Sequence, residues 1–415
     1  MLTLFSNKKI IFLIFLILLS IYKSQYIFFN GRFIAEEGSF WFRNAFLYGN
    51  LEGLTQVFVG SGYFNLWPNI ASVFANLVPI EFAPLMTVYF AFVVKLYLFL
   101  YILFQKSSFL ETDYQKYIAA LIVLVSPPMV AEIWLNTLAS QVYFTIISTL
   151  ILFQINDESF FSKFSPVVLF IASLSTVTTC LLTPFFLKNF LKKKDKINFY
   201  NFFVIFMGSL VQISIYTYTL INNLQWGGAN ERYILSLSKL INYIYNVIFK
   251  SFFGTEITKI LYFSSIENIY VLIILIAIFI ILFFLLVKSF KILSKDKVFL
   301  ILLTIFILQS LLAIYAGKDN HVQGRFAAIP GIMCIYLALR IISIKNSFKF
   351  VASILIFISI SAGFYEFKHN NKYPHFLICQ NCPHWKEEIA KWKQNKNYEL
   401  KIWHYPRKSM SLSKN

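Results

Sequence analysis

The stretch Asn30-Gly-Arg-Phe-Ile-Ala-Glu-Glu-Gly-Ser39, continuing as Phe40-Trp-Phe-Arg43, follows the apolar run Ile10 to Tyr22, which Lys8 and Lys9 precede. Two adjacent carboxylates, Glu36 and Glu37, stand between Gly31 and Gly38 and are bracketed by Arg32 and Arg43. The apolar run reads as a first helix over residues 10–29, with Lys23 extending its charge toward water at the far end. No small-x-small cleavage site follows between Ser20 and Phe29, so the helix is read as retained. Only 13% of the residues are charged, so a paired acid at the edge of such a helix needs a local cause.

The rest of the chain is more apolar still. Hydrophobic residues make up 58% and aromatic residues 19%, whereas soluble domains carry about 25% charged residues. Several runs approach the ~20 apolar residues that cross a bilayer core. They are continuous and do not alternate, which excludes an outer-membrane barrel. The expected fold is all-α, a polytopic transmembrane bundle of about 10–11 helices.

Helices are expected near residues 10–29, 82–105, 117–130, 142–155, 199–221, 268–287, 298–316, 325–342 and 350–365, with a broken hairpin over 165–191. A short partial helix is expected over 68–78. Residues 30–66 form a first outer loop, whose aromatic stretch Phe40 to Tyr48 suits the membrane interface, and 222–267 a second. Together these make a membrane domain over 1–365, followed by a small polar tail over 366–415.

Charge orients the bundle. With the N-terminus in the cytoplasm, the cytoplasmic segments hold 17 Lys/Arg against 6 Asp/Glu, and the outer loops hold 9 of each sign. This is the positive-inside pattern, and it assigns most of the net charge of +18 to membrane orientation, not to nucleic acid. The basic tail is the discordant piece. All seven tryptophans and all five histidines fall in the segments placed outside, so the outer face is expected to do the work. The expected location is a bacterial inner membrane, with the tail on the periplasmic or extracellular side.

Glu36 and Glu37 are the expected catalytic residues. A partly desolvated carboxylate has its pKa raised toward the range useful to a general base. Alternatively, one of the pair holds a divalent cation, and the plain reading is a pair of acids at a helix start. The chain has six arginines against 31 lysines, and four of them (Arg32, Arg43, Arg232, Arg325) lie in or at the outer loops. A guanidinium binds phosphate through two parallel hydrogen bonds. Lys318, His321 and Arg325 form a short cationic loop entering a helix, suited either to a lipid-linked phosphate or to lipid headgroups. The loop Glu132-Ile-Trp-Leu-Asn-Thr-Leu-Ala-Ser-Gln141 offers Glu132, Asn136 and Gln141 to a sugar, as Arg232 does from the second loop. In the tail, Cys379 and Cys382 read as a disulfide pair more readily than as zinc ligands with His375 and His384. Trp385 to Lys393 should form an amphipathic helix resting on the bilayer or on the outer loops.

These parts resemble the GT-C superfamily, multi-spanning glycosyltransferases that use polyprenyl-phosphate sugars. Ala35-Glu36-Glu37-Gly38 matches that family's acidic pair after helix one in type and placement. Gly62-Tyr-Phe-Asn-Leu-Trp-Pro-Asn69, Thr183-Pro184, and Gly324-Arg325-Phe326 with Pro330 are similar to elements of bacterial GT-C-like proteins. The resemblance implies inverting transfer of a sugar from a polyprenyl-phosphate donor to a glycan or lipid acceptor of the cell envelope. It assigns Glu36 or Glu37 to the acceptor hydroxyl and the Arg325 region to the donor phosphate. The chain departs from it in having no sizeable soluble outer domain. The rival readings are a transporter or flippase of lipid-linked saccharides, for which Lys95 within the second span is the relevant charge, a polysaccharide polymerase, and a non-catalytic membrane protein.

Overall fold

The computed structural model describes residues 7–129, 131–155, 158–224, 236–267, 288–317, 322, 324–344, 346–369, 382–403 and 408–413. The fold is all-α, 77% helical with almost no sheet.

The N-terminal run forms α1 (Asn7–Lys23) and α2 (Gln25–Asn30), separated at Ser24, so the expected single helix is broken near its outer end. A π-helical turn, Glu37–Phe42, runs directly into α3 (Arg43–Tyr48), and α4 (Asn50–Thr55) follows. A two-residue hairpin, β1 (Val57–Phe58) with β2 (Tyr63–Phe64), leads to α5 (Leu66–Asn76). The long α6 (Ala83–Phe104) then crosses the molecule.

α7 (Asp113–Val125) starts at a capping box: the Thr112 hydroxyl accepts from the Gln115 N–H, and the Gln115 side chain accepts from the Thr112 N–H. The helix stops at Ser126, whose backbone turns extended ahead of Pro127, where the expected proline pair Pro127-Pro128 breaks it. α8 (Ser140–Leu152) is buried throughout except at Gln141. The expected hairpin is three helices, α9 (Phe160–Ser175), α10 (Val177–Cys180) and α11 (Thr183–Lys193). α12 (Lys196–Ile221) lies along α9.

In the expected second outer loop, residues 236–267 are helical: α13 (Leu237–Tyr243), a π turn over Ile244–Phe249, and α14 (Lys250–Glu267), kinked at Gly254. The span expected over 268–287 lies outside the described residues. α15 (Lys297–Ala316), α16 (Arg325–Ser343) and α17 (Lys349–His369) follow. α16 is the axis of this half, buried from Ala327 to Ile341 except at Cys334, and packed against α15 and α17.

Five helices among the described residues are long and apolar enough to cross a membrane: Ile80–Phe104, Lys196–Ile221, Lys297–Ala316, Arg325–Ser343 and Lys349–Phe367. Others in the expected count are too short. The 13 residues of α8 rise only about 20 Å, against a core of about 30 Å. α12 and α17 turn large apolar side chains outward, among them Phe203, Ile213, Ile221, Phe350 and Phe357. An apolar surface this extensive calls for an apolar surrounding.

The described parts of the tail, residues 382–403 and 408–413, are folded. α18 (Trp385–Gln394) and the hairpin β3 (Leu400–Lys401) with β4 (Ser409–Met410) form a cap. Trp385, Ile389, Leu400, Ile402, Met410 and Leu412 make one apolar cluster with Phe33 and Phe42 of the first loop. The amphipathic helix therefore rests on the outer loop. Cys382 is disulfide-bonded, while Cys180 and Cys334 are free thiols; Cys379 lies outside the described residues.

Candidate functional site

Three loops meet at one end of the molecule: the acidic stretch, residues 131–139, and the entry to α16. Glu37 is fully buried, and its Oε1 accepts hydrogen bonds from the Thr137 N–H at 3.0 Å and from the Thr137 hydroxyl. Its Oε2 has no hydrogen-bond partner among the described residues. Burial pushes this carboxyl above the ordinary range, and the hydrogen bonds from Thr137 and the charge of Arg32 only partly oppose it.

Glu36 is in the opposite state. Its side chain is 25% exposed and pairs with Lys408 of the cap at 2.9 Å. Burial raises this carboxyl too, but the Lys408 hydrogen bond, a backbone hydrogen bond and the charges of Lys408 and Arg325 bring it below the ordinary range. Glu36 is therefore the accessible, ionised member of the pair, and Glu37 the enclosed one.

Arg32 is buried and donates from Nη2 to the Trp134 carbonyl at 3.1 Å. Its guanidinium lies 5.2 Å from the Trp403 ring centroid. Lys95 is buried in α6 without a hydrogen-bond partner among the described residues, its Nζ 3.2 Å from the Trp134 ring centroid. The 131–139 loop thus holds Arg32, Glu37 and Lys95 through Trp134 and Thr137. Ala35 and Leu135, one in each facing loop, have φ of 48° and 47°. Left-handed backbone at non-glycine residues costs of order 1–2 kcal/mol and persists where packing imposes it.

Glu132 reaches the third loop. Its Oε2 accepts from the Arg325 N–H at 3.3 Å, and its Oε1 lies 3.9 Å from the Arg325 Nε. Arg325 in turn lines a cavity of about 520 Å³ with mostly apolar walls, shared by Gln141, Thr178, Ser209, Tyr216 and Phe326. Pro330, also in its wall, has no N–H for the Phe326 carbonyl one turn earlier.

The structure therefore gathers Glu36, Glu132, Gln141 and Arg325, with Glu37 and Arg32 just behind them. Neither glutamate of the pair lines the cavity itself. Asn136 is turned inward: it donates to the Glu132 carbonyl at 3.4 Å and accepts from the Leu138 N–H at 3.0 Å, so it shapes its own loop and does not face the cavity. Arg43 donates to the Ser411 carbonyl at 2.9 Å and fastens the cap. Lys318, His321 and Arg232 lie outside the described residues. Lys408 and Trp403 were not legible as site residues, since each meets the acidic stretch across more than 360 positions.

The donor set does not suit a divalent cation. Glu36 is flanked by the cations Lys408 and Arg325, Glu37 is enclosed on Thr137, and among the described residues no three or more His, Cys, Asp or Glu gather. No family model matches the chain, and a search of curated proteins finds no significant relative.

Proposed function

We propose that the protein is a multi-spanning membrane glycosyltransferase of GT-C type, with its N-terminus in the cytoplasm, that moves a sugar from a polyprenyl-phosphate donor to a cell-envelope acceptor at the outer face. One observation carries the reading: an ionised, accessible carboxylate, Glu36, stands within the field of Arg325, and Arg325 lines a largely apolar cavity. That pairing suits a donor with an anionic head and a hydrocarbon body. In the reaction, the acceptor oxygen bonds to the anomeric carbon as its proton passes to Glu36. The bond from that carbon to the phosphate oxygen breaks, and the lipid phosphate leaves with the electron pair beside Arg325. Lys408 keeps Glu36 ionised, the state a base requires, at some cost in basicity.

The test is consumption of polyprenyl-phosphate sugar by membranes carrying Glu36→Gln or Glu37→Gln. A general base contributes about 100-fold or more, so Glu36→Gln should lower turnover by at least that factor. Full activity in both variants sinks the proposal. Lys95 supports a second reading, transport of a lipid-linked saccharide, because it is a buried ionisable side chain inside a span. Translocation that survives Glu36→Gln and fails in Lys95→Met would favour that reading.

A further inference from the structure

At the end of the molecule away from the acidic loop, α11 turns into α12 through Lys188-Asn-Phe-Leu-Lys-Lys-Lys-Asp-Lys196. Lys188, Lys192, Lys193, Lys194 and Lys196 are all exposed. Leu187, Leu191, Phe199 and Tyr200 on the same turn are exposed as well. The stretch has one acid, Asp195, and its carboxylate caps α12 by accepting from the Asn198 N–H at 2.8 Å.

Folding accounts for only part of this charge. Lys192 and Lys193 lie in the last turn of α11, where a cation complements the helix dipole. Lys194 is different: it takes a left-handed backbone, φ 53° and ψ 25°, at a C-cap where glycine or asparagine costs less. Lys196 opens α12, where the dipole disfavours a cation. Two lysines thus occupy positions that local stability argues against, and both add to one exposed basic surface with an apolar rim.

We propose that the α11–α12 turn is a docking site for anionic phospholipid headgroups of the cytoplasmic leaflet. The lysines meet the phosphates, and Leu191, Phe199 and Tyr200 enter the boundary between headgroups and chains. The proposal rests on the membrane reading but not on the glycosyltransferase reading.

The full chain is reconstituted in phosphatidylcholine containing a minor fraction of phosphatidylglycerol, and the lipid retained after detergent extraction is quantified by mass spectrometry. Wild type should enrich phosphatidylglycerol about tenfold. Lys192→Gln/Lys193→Gln/Lys194→Gln/Lys196→Gln should lose most of that enrichment, while Lys291→Gln/Lys295→Gln, which alters two other exposed lysines, should keep it. Lys194→Gly guards against misfolding as a cause, since it should raise the unfolding temperature and still lower retention. No preference in wild type, equal loss in both multiple variants, or full displacement by millimolar inorganic phosphate would overturn the proposal. So would an acidic protein, not lipid, held by the turn. Release of the chain from membranes by alkaline carbonate would instead remove the membrane reading beneath it.

Discussion

Buried against the 131–139 loop, the Glu37 carboxyl has exchanged water for one residue, Thr137, on one of its two oxygens. A carboxyl whose native pKa is raised binds more protons folded than unfolded between its ordinary value near 4.5 and that raised value. Stability therefore falls as pH rises through this window and is retained below it. Glu37→Gln, neutral and still able to accept from Thr137, should flatten that slope in thermal unfolding scans. Thr137→Val should cost about 1–2 kcal/mol by removing the hydroxyl donor and leaving the acid only the backbone N–H of residue 137. Glu36 has the reverse sign: its lowered pKa gives stability that is present above about 4.5 and lost as pH falls through the native value. Lys408→Met should raise the Glu36 pKa and shrink that acid-side loss, and an unchanged acid limb would show that the pair is not formed in solution.

Helices meet here at backbone distance, and glycine decides where. A Cβ on Gly363 of α17 would lie 2.1 Å from the Val125 carbonyl oxygen at the end of α7, and a backbone atom cannot step aside. Gly363→Ala should cost about 1–3 kcal/mol and lower the unfolding temperature. Gly324 has φ 62°, and a Cβ there would sit 2.7 Å from the Glu132 Oε2. Gly324→Ala should separate Glu132 from Arg325 and weaken activity more than stability, which paired turnover and melting measurements would separate. At this scale the sequence was partly readable. Apolar runs located α6, α12, α15, α16 and α17 within a few residues, because hydropathy over about 20 residues tolerates blurred ends. Residues 236–267 were read as loop because lysines and glutamates dilute their hydropathy, although Ser236 caps a helix there. The acidic pair and Arg325 were legible as rare charges in an apolar chain. Their division of labour was not, because it depends on Thr137 and Lys408, which arrive from 100 and 372 positions away.

Among the described residues, ion pairs sit at two ends of the bundle. Arg325 at the start of α16 faces Glu132, while Arg340 near its end is held by Asp296 and Glu111 at 2.8 and 2.9 Å, in the same quarter as Lys9 with Asp113. α12 likewise begins at the lysine turn and brings Thr219 beside Gly62 of the first loop at its other end. The cap belongs to the acidic end. The Trp403 N–H donates to the Phe33 carbonyl at 3.1 Å, Trp385 packs against Phe33 and donates to the Ile80 carbonyl, and Lys408 pairs with Glu36. The excess of lysine in the tail would draw it to the cytoplasm if charge alone decided, but the tail cannot part from the first loop without exposing Phe33, Phe42 and Trp385. Trp385→Ala should accordingly cost about 3–5 kcal/mol. Packing thus links the side of the tail to the side of Glu36, and the lysine turn to the opposite side. In intact cells a membrane-impermeant maleimide should label Asn395→Cys, at an exposed tail position, and should reach Lys193→Cys only after permeabilisation. The reverse pattern would turn the molecule over and put the Glu36 site in the cytoplasm. Labelling of both positions from one side would break the two-ended arrangement itself.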